Sequence, residues 1–304
     1  MSDYSNLLVY LDGEFVAWND AKIHVFSPAV KYGAAVFEGI RGYWNTETET
    51  MYLFRLEEHM RRLELSQRIM RFSRIVPAET MMDATIELMR RNGFRSSVHI
   101  RPTVYVGGFG ESNAQEPVGT FVTAIARDTP KKVQTGVRAQ VSSWQRIADN
   151  VMPARAKANA NYNNSRYAGI QAAKDGYDAA IFLNSRGKLS EGQGMCLFLI
   201  RNGIAVTPSV TSDILESITR DTVIRLLRDQ GVEVQERDVD RSEFFDASEA
   251  FFCGTGAEIT PIVNVDGDAI GAGIPGEVTR ALQTAYFDLA FARTDADHAW
   301  LTAV

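Results

Sequence analysis

The chain has 304 residues, of which 45% are hydrophobic and 23% are charged, and its formal net charge is −6. This composition is ordinary for a globular protein with one large domain or two smaller ones. The negative charge argues against nucleic acid as the main partner, and no run approaches the roughly 20 apolar residues of a membrane helix. Residues 1–6 have neither a basic stretch nor an apolar core of signal length, so we expect a soluble, cytoplasmic protein.

Cysteine and histidine patterns argue against two further kinds of site. Cys196 and Cys253 both lie in apolar runs and are expected to be buried free thiols, not parts of a disulfide framework. The four histidines show no ligand spacing, so we predict no metal site.

The first part of the chain is predicted to be an α+β domain over residues 1–126. It opens with a hairpin, because Asp12-Gly13 separates two short apolar runs and is a typical type I′ turn sequence. The further elements predicted there are helices near Leu56–Arg71 and Ala78–Asn92 and strands near Val98–Val106 and Gly119–Ala126. Helices placed among antiparallel strands are typical of the α+β class.

Residues 127–136 are polar, and we predict that they link the first domain to a second one over residues 137–304. The predicted helices of the second domain lie near Asn164–Lys174, Ile218–Gln230 and Gly276–Phe291. Its predicted strands lie near Val137–Val141, Ala179–Leu183, Met195–Ile200, Ile204–Thr207, Ala250–Cys253 and Ile262–Val265.

Lys157 is notable because lysine is rare in this chain, which has seven lysines and 25 arginines. It lies in a run of small and polar residues with an alanine on each side. A lysine amine that its neighbours desolvate can lose its proton and form a Schiff base with a carbonyl compound. The alternative is a solvent-exposed lysine in a small-residue loop, because most lysines are exposed.

Three other segments carry groups that such a lysine could work with. Ser217–Thr222 opens a predicted helix whose N–H groups and Thr219 hydroxyl suit a phosphate, although the same residues could simply cap the helix. The turn Gly254–Glu258 can present N–H groups to an anion. Glu191 lies in a glycine-flanked loop, where its side chain either points into a site or belongs to a surface turn. A lysine, a phosphate site and a carboxylate for the ring nitrogen are what pyridoxal phosphate requires.

Five motifs, in the same order along the chain, resemble the branched-chain aminotransferases, which are pyridoxal phosphate enzymes of fold type IV. The motifs are Tyr32–Arg41, the segment around Lys157, Ser190–Gly192, Ile218–Asp221 and Gly254–Ile259. The resemblance covers nearly the whole chain. It implies an α+β protein with a smaller N-terminal sandwich-like domain and a larger C-terminal domain that is β-barrel-like with helices.

The resemblance also assigns roles to individual residues. It implies that Lys157 is the catalytic residue, which forms the Schiff base and moves the proton, and that Glu191 holds the pyridine nitrogen. The residues that it implies for cofactor binding are Arg62, Lys157, Tyr162, Glu191, Ile218, Thr219 and Thr255. The residues that it implies for substrate binding are Tyr32, Phe37, Gly39, His99, Arg101, Trp144, Gly256 and Ala257.

The reaction implied by the resemblance moves an amino group from leucine, isoleucine or valine to 2-oxoglutarate. Members of the family are dimers with active sites near the subunit interface, so Tyr32 and the loop Gly107–Gly110 are expected to reach the neighbouring site. A homodimer or a higher homo-oligomer is expected, with amino acids and 2-oxo acids as the small-molecule partners and neither nucleic acid nor a membrane as a partner.

Three departures from the family pattern leave the substrate open. His99 stands where the family strand usually has tyrosine, while Arg101 is kept and could bind the side-chain carboxylate of glutamate. Met195-Cys196 replaces a pair that is commonly Glu-Asn, and the interdomain segment lacks an aromatic residue found in some relatives. Other enzymes of this fold act on D-amino acids or (R)-amines, and this is the alternative activity.

Two further alternatives are less consistent with the residues. One relative of this fold is a lyase for aminodeoxychorismate, which would release pyruvate without an acceptor. A regulatory or binding protein without catalysis would be expected to have lost catalytic residues, but Lys157, Tyr162 and Glu191 are all present.

Overall fold

The computed structural model describes residues 4–294 and 298–304. Its helices are α1 (Pro28–Tyr32), α2 (Leu56–Ile69), α3 (Ala78–Asn92), α4 (Lys132–Thr135), α5 (Tyr162–Lys174), α6 (Ile218–Asp229) and α7 (Glu277–Ala290). Its strands are β1 (Leu8–Leu11), β2 (Glu14–Ala17), β3 (Ala35–Phe37), β4 (Ile40–Asn45), β5 (Thr50–Phe54), β6 (Val98–Val106), β7 (Val118–Ala126), β8 (Val137–Val141), β9 (Ala179–Leu183), β10 (Leu189–Gly192), β11 (Cys196–Arg201), β12 (Ile204–Pro208), β13 (Val234–Arg237), β14 (Glu249–Gly254), β15 (Glu258–Val265), β16 (Asp268–Ala269) and β17 (Leu301–Ala303).

Packing divides the chain into two units, and the division differs from the predicted domain bounds. The first unit runs to Asp128 and also takes in Ala156–Ala160 and the residues from Leu289 onward. The second unit comprises Thr129–Arg155 and Asn161–Asp288. The lysine segment, which the sequence analysis assigned to the C-terminal domain, therefore groups with the N-terminal one.

The first unit is built on an eight-stranded sheet whose pairs are all antiparallel. The strand order is β17-β5-β4-β6-β7-β1-β2, and β3 pairs with β6. Helix α2 turns Leu56, Met60 and Leu63 to the interior, because residues three and four apart share one face of a helix. The C-terminal strand β17 completes the sheet by pairing with β5.

The second unit is built on a nine-stranded mixed sheet with the order β10-β9-β8-β15-β14-β11-β12-β13, in which β16 pairs with β15. Its parallel pairs are β8 with β9, β8 with β15, and β12 with β13. On the central strands β11 and β14, the rings of Phe198 and Phe251 stack with centroids 5.1 Å apart. Cys196 and Cys253 oppose each other in the same strand pair, and both are buried free thiols, as predicted.

The α+β class predicted from the sequence is confirmed. Helix α3 and strands β6, β8 and β9 have the predicted bounds, and α3 ends at Gly93, whose φ of 57° is the left-handed conformation of a C-terminal cap. Strands β3, β4 and β5 were not predicted from the sequence. The buried charges Glu38 and Arg41 interrupt the apolar run over β3 and β4, which hides the strand pattern there.

The described residues also bear on membranes and metals. No helix within residues 4–294 and 298–304 is long and apolar enough to cross a bilayer. No group of three or more His, Cys, Asp or Glu side chains in the same part of the chain is placed to hold a metal ion. The cytoplasmic location stays a prediction.

Candidate active site

The lysine segment is fixed to the first unit through its backbone. Phe37 N donates to Lys157 O at 3.0 Å, and Lys157 N donates to Ser66 Oγ on α2 at 3.1 Å. Ala158 forms an antiparallel bridge with Val36 on β3. The alanine that follows Lys157 is 0% exposed and the one that precedes it is 1% exposed, so the closely packed interior requires small residues there.

The Lys157 amine lies over an aromatic ring in this unit. Its Nζ is 5.0 Å from the centroid of the Phe37 ring, and the Arg101 guanidinium carbon is 3.7 Å from the same centroid. Phe37 therefore meets two of the predicted site residues.

Arg62 on α2 is held by a buried carboxylate that the sequence analysis did not assign. Its Nε donates to Glu38 Oε1 at 2.7 Å and its Nη2 donates to Glu38 Oε2 at 2.8 Å. His59, one turn earlier on the helix, places Nδ1 2.7 Å from the same Oε2. Since an ionised carboxylate only accepts hydrogen bonds, His59 Nδ1 carries the hydrogen.

The charges in this cluster follow from burial and pairing. Burial opposes ionisation of Glu38, but the charge and hydrogen bonds of Arg62, together with His59, hold the pKa of Glu38 well below its usual range. Burial lowers the pKa of His59 and outweighs the effect of Glu38. The cluster is therefore an ionised Glu38–Arg62 pair with a neutral histidine beside it.

His99 and Arg101 lie two residues apart on β6 and so share one face of the sheet. A Cβ added to Gly39 would lie 3.1 Å from His99 Cε1, so the glycine leaves room for the ring. The buried Nδ1 of His99 has no hydrogen-bond partner among the described residues. The first unit thus brings His99 to Gly39 and Arg101 to Phe37, as separate pairs.

In the second unit, Glu191 is buried at the end of β10 and paired with an arginine that was not predicted. Arg146 Nη2 lies 2.9 Å from Glu191 Oε1, and Leu215 N donates to Glu191 Oε2 at 3.1 Å. Both carboxylate oxygens are therefore oriented by donors. The surface-turn alternative for Glu191 is wrong, since the residue is buried.

The glycine-rich loops of the second unit lie next to one another. A Cβ on Gly194 would be 3.3 Å from the Tyr162 ring, and one on Gly254 would be 3.4 Å from Gly194 O. The turn after β14 is closed by a hydrogen bond from Ala257 N to Gly254 O at 3.1 Å. Apart from Gly256 and its two neighbours in the chain, no described residue has an atom within 4 Å of the position that a Cβ on Gly256 would take, so there is open space beside this glycine.

Helix α6 begins with the cap that the sequence suggested. Ser217 Oγ accepts a hydrogen bond from Arg220 N at 3.2 Å, and Thr219 is buried in the first turn. Capping and phosphate binding do not exclude each other, because the first four N–H groups of a helix lack intrahelical partners and Ser217 satisfies one. Thr219 and Ile218 thus lie at an end suited to an anion.

Two predicted substrate residues lie on exposed surface instead of in a buried position. Trp144 is 47% exposed, and its ring centroid lies 5.3 Å from that of Tyr167. Tyr32 is also exposed, and its hydroxyl donates to Glu111 Oε2 at 2.9 Å. Their assignment to a substrate pocket stays a prediction.

Sequence reasoning missed Glu38, His59, Ser66 and Arg146, although a signal existed for two of them. Glu38 interrupts an apolar run, and Arg146 lies two residues after Trp144, which was itself predicted to bind substrate. A buried charge requires a partner. The partners are 24 and 45 residues away in the sequence for Glu38 and Arg146 respectively, so a local pattern could not name them.

Comparisons with known proteins extend over the whole chain. The sequence pattern of the amino-transferase class IV family matches residues 35–265. A probable branched-chain-amino-acid aminotransferase of Aquifex aeolicus is 39% identical over 314 aligned positions that cover 100% of this chain and 99% of the relative.

Two solved structures are similar to this fold. The branched-chain aminotransferase of Thermoproteus uzoniensis with norvaline has a TM-score of 0.93 and 40% identity, covering 98% of this chain and 99% of that one. The branched-chain amino acid aminotransferase of Thermobaculum terrenum, in its PLP form, has a TM-score of 0.93 and 41% identity over 99% of both chains.

Replacing His99 with glutamine is expected to make stability less sensitive to acid. Burial, followed by the nearby charges of Arg127 and Arg41, lowers the pKa of His99 to about 4, against about 6.5 in an unfolded chain. The folded state thus favours the neutral ring, whose contribution is complete above pH ~6.5 and is lost as the pH falls towards 4. Between pH 7 and pH 4.5, H99Q should lose about 2 kcal/mol less unfolding free energy than the parent protein.

Urea unfolding of both proteins at the two pH values measures this difference. His59 is present in both proteins, so its own titration cancels in the comparison. An equal loss of stability in the two proteins would contradict the lowered pKa of His99.

Proposed function

Because the chain belongs to the amino-transferase class IV family, we propose that it is a pyridoxal phosphate-dependent aminotransferase acting on branched-chain L-amino acids. The observation that carries this proposal is an identity of about 40% to branched-chain aminotransferases over nearly the whole chain. Two features support it, each within its own unit: the backbone of Lys157 is anchored in the first, and the Glu191 carboxylate is buried and oriented in the second. The relatives favour this activity over transfer from D-amino acids or (R)-amines, since each of those compared bears the branched-chain name.

The residues fit pyridoxal phosphate on their own chemistry. The chain offers a primary amine at Lys157, a buried carboxylate at Glu191, and a helix N-terminus with Thr219 for a phosphate. The empty position beside Gly256 leaves space for a ligand at its turn. When bound, the cofactor withdraws electrons from the α-carbon of the amino acid and makes its proton acidic.

Each residue then has a defined task. Lys157 would hold the cofactor through Nζ, and its amine would accept and return the substrate proton. Glu191 would accept a hydrogen bond from the ring nitrogen, and Tyr162 would donate one to the ring oxygen. Arg62, Ile218, Thr219 and Thr255 would hold the phosphate.

Two of these tasks require the existing contacts to be shared. Glu38 accepts hydrogen bonds from two N–H groups of Arg62, so a phosphate would share this guanidinium with Glu38. Gly256 and Ala257 are proposed to bind the substrate carboxylate through their N–H groups. Since Ala257 N already donates to Gly254 O, it would share that hydrogen or exchange it.

The proposed acceptor is 2-oxoglutarate, which accounts for an arginine on the same strand face as His99. The Arg101 guanidinium packs over Phe37, which orients it. A guanidinium binds a carboxylate through paired hydrogen bonds. Leucine has an apolar side chain and would meet the Phe37 ring.

The protein is further proposed to be a homodimer. In the first unit, large apolar residues are exposed on and around α1 and the 107–110 loop, namely Val25, Phe26, Val30, Tyr32 and Phe109. Lys31 Nζ ties the helix to the loop by donating to Gly110 O at 2.8 Å. Contiguous exposed apolar surface of this kind marks protein interaction sites. Sedimentation equilibrium is expected to give twice the chain mass, and a monomer would contradict the proposal.

Replacing Lys157 with alanine is expected to abolish transamination while leaving the fold intact, because the hydrogen bonds of this residue to Phe37 and Ser66 use only its backbone. The variant should also lose the bond to the cofactor that borohydride reduction traps, which mass spectrometry detects. Lys174→Ala is the matched control, since Lys174 is exposed at the end of α5. Turnover or trapping that survives in K157A would refute the role of Lys157.

Replacing Arg101 with alanine is expected to impair glutamate and 2-oxoglutarate more than leucine. The loss of a charged hydrogen-bond donor costs about 1.5–3 kcal/mol, so KM for 2-oxoglutarate should rise about 10- to 100-fold. Steady-state kinetics and the leucine half-reaction measure the two effects, with the exposed Arg61→Ala as a control. Equal losses for leucine and 2-oxoglutarate would mean that Arg101 is structural.

A further inference from the structure

Arg146 is a buried arginine with no role in the chemistry proposed above. Its Nη2 lies 2.9 Å from Glu191 Oε1. Its Nε lies 3.3 Å from Asp213 O, and its Nη1 lies 3.3 Å from Asn164 Oδ1. Its backbone N donates to Leu183 O at 2.9 Å. The three guanidinium nitrogens therefore connect three different parts of the second unit.

These contacts determine how far the arginine can move. Arg146 is 7% exposed and Glu191 is 2% exposed, so neither charge can be satisfied by bulk water. The main-chain hydrogen bond to Leu183 fixes the backbone of Arg146, from which the side chain begins. The contacts to Asp213 O and Asn164 Oδ1 fix the plane of its guanidinium group. Arg146 is thus a rigid donor, and the position of Glu191 follows from it.

The second oxygen of Glu191 is fixed independently. Leu215 N donates to Oε2 at 3.1 Å, so the carboxylate is held at both oxygens and cannot rotate without breaking a bond. A carboxylate held in this way stays an acceptor of hydrogen bonds and keeps a single direction. That property is needed by a group that must hold a protonated ring nitrogen in place.

We propose that Arg146 is a positioning residue for transamination, which acts by fixing the Glu191 carboxylate in the orientation that binds the cofactor ring nitrogen. The proposal rests on the proposed function. Lysine could keep the positive charge at this position, but it has no planar fork and cannot reproduce three contacts in three directions. Orientation, and not charge alone, is therefore what an Arg146→Lys change removes.

The experiment compares the holoenzymes of Arg146→Lys, Glu191→Gln and the combined variant with the parent. Arg186→Lys is the matched control, because Arg186 also binds a carboxylate with two nitrogens, at 2.7 and 2.9 Å from Asp238, but is exposed. Measured for each are kcat and KM for leucine, the dissociation constant of pyridoxal phosphate, and the absorption spectrum of the bound cofactor.

Arg146→Lys is expected to lower kcat at least about tenfold, since small misplacements of reacting groups cost up to about 100-fold. KM should change much less than kcat, the cofactor spectrum should shift, and Arg186→Lys should match the parent. In the Glu191→Gln background, the further effect of Arg146→Lys should largely disappear, because residues that act through one contact are not additive.

Two results would overturn the proposal. An Arg146→Lys enzyme with the kinetics and spectrum of Arg186→Lys would show that the fork is not needed. Full additivity in the combined variant would show that Arg146 does not act through Glu191. If Arg146→Lys fails to fold, a variant with both Arg146→Gln and Glu191→Gln replaces it, because this pair of changes removes both buried charges together. The kcat of this double variant should match that of Glu191→Gln. A further tenfold fall in kcat would contradict the proposal.

Failure of the proposed function has a different signature. If Glu191→Gln itself keeps the cofactor affinity, spectrum and kcat of the parent, then Glu191 does not hold the ring nitrogen, and the inference about Arg146 falls with it. A strong effect of Glu191→Gln without an effect of Arg146→Lys rejects only the inference.

Discussion

Two hydrogen bonds of the Lys157 backbone, from Phe37 N to its carbonyl oxygen and from its N–H to Ser66 Oγ, hold a short segment from the middle of the chain against β3 and α2. The residues before and after this segment belong to the second unit. The chain therefore leaves its own unit for five residues and places one lysine in the other. The alanines on either side of Lys157 are buried and leave no room for larger side chains. Their burial explains why small residues surround the lysine.

Within each unit, buried charges that the proposed chemistry would use are paired. Glu38 binds Arg62 with both oxygens, and Glu191 binds Arg146 and a main-chain donor. Such pairing is what burial demands, since an unpaired buried charge costs several kcal/mol. The same ion pairs also fix the orientation of these side chains. A cofactor that is bound through many weak contacts depends on that orientation. The stability of these clusters and the geometry of the proposed site therefore have the same origin.

The sequence predicted much of the fold, and it also proposed several site residues, on different grounds. Helix α3 and its cap at Gly93, the hairpin at Asp12-Gly13 and the strand β6 follow from local periodicity and turn chemistry. Lys157 and Glu191 were proposed as site residues because reactive side chains among small residues are unusual, and the family resemblance then implied their roles. Short strands such as β3 were missed because their burial comes from distant partners.

Long-range partners account for most of what the sequence could not supply. Nothing near Lys157 indicates that it pairs with Phe37, which lies 120 positions earlier. Likewise, Arg146 and Glu191 come from different elements, so only the folded chain joins them. Tertiary packing determines such long-range contacts, and the local sequence pattern around either residue does not predict them.

The central claim, that the proposed site handles branched-chain L-amino acids, is tested most directly by the first half of the reaction. The holoenzyme would be mixed separately with L-leucine, D-alanine and (R)-1-phenylethylamine while the absorption of the cofactor is followed. The account predicts that L-leucine alone converts the cofactor rapidly to its pyridoxamine form. Conversion by D-alanine or the (R)-amine, with L-leucine inert, would contradict it and would mean that His99 and the altered loops have reshaped the site.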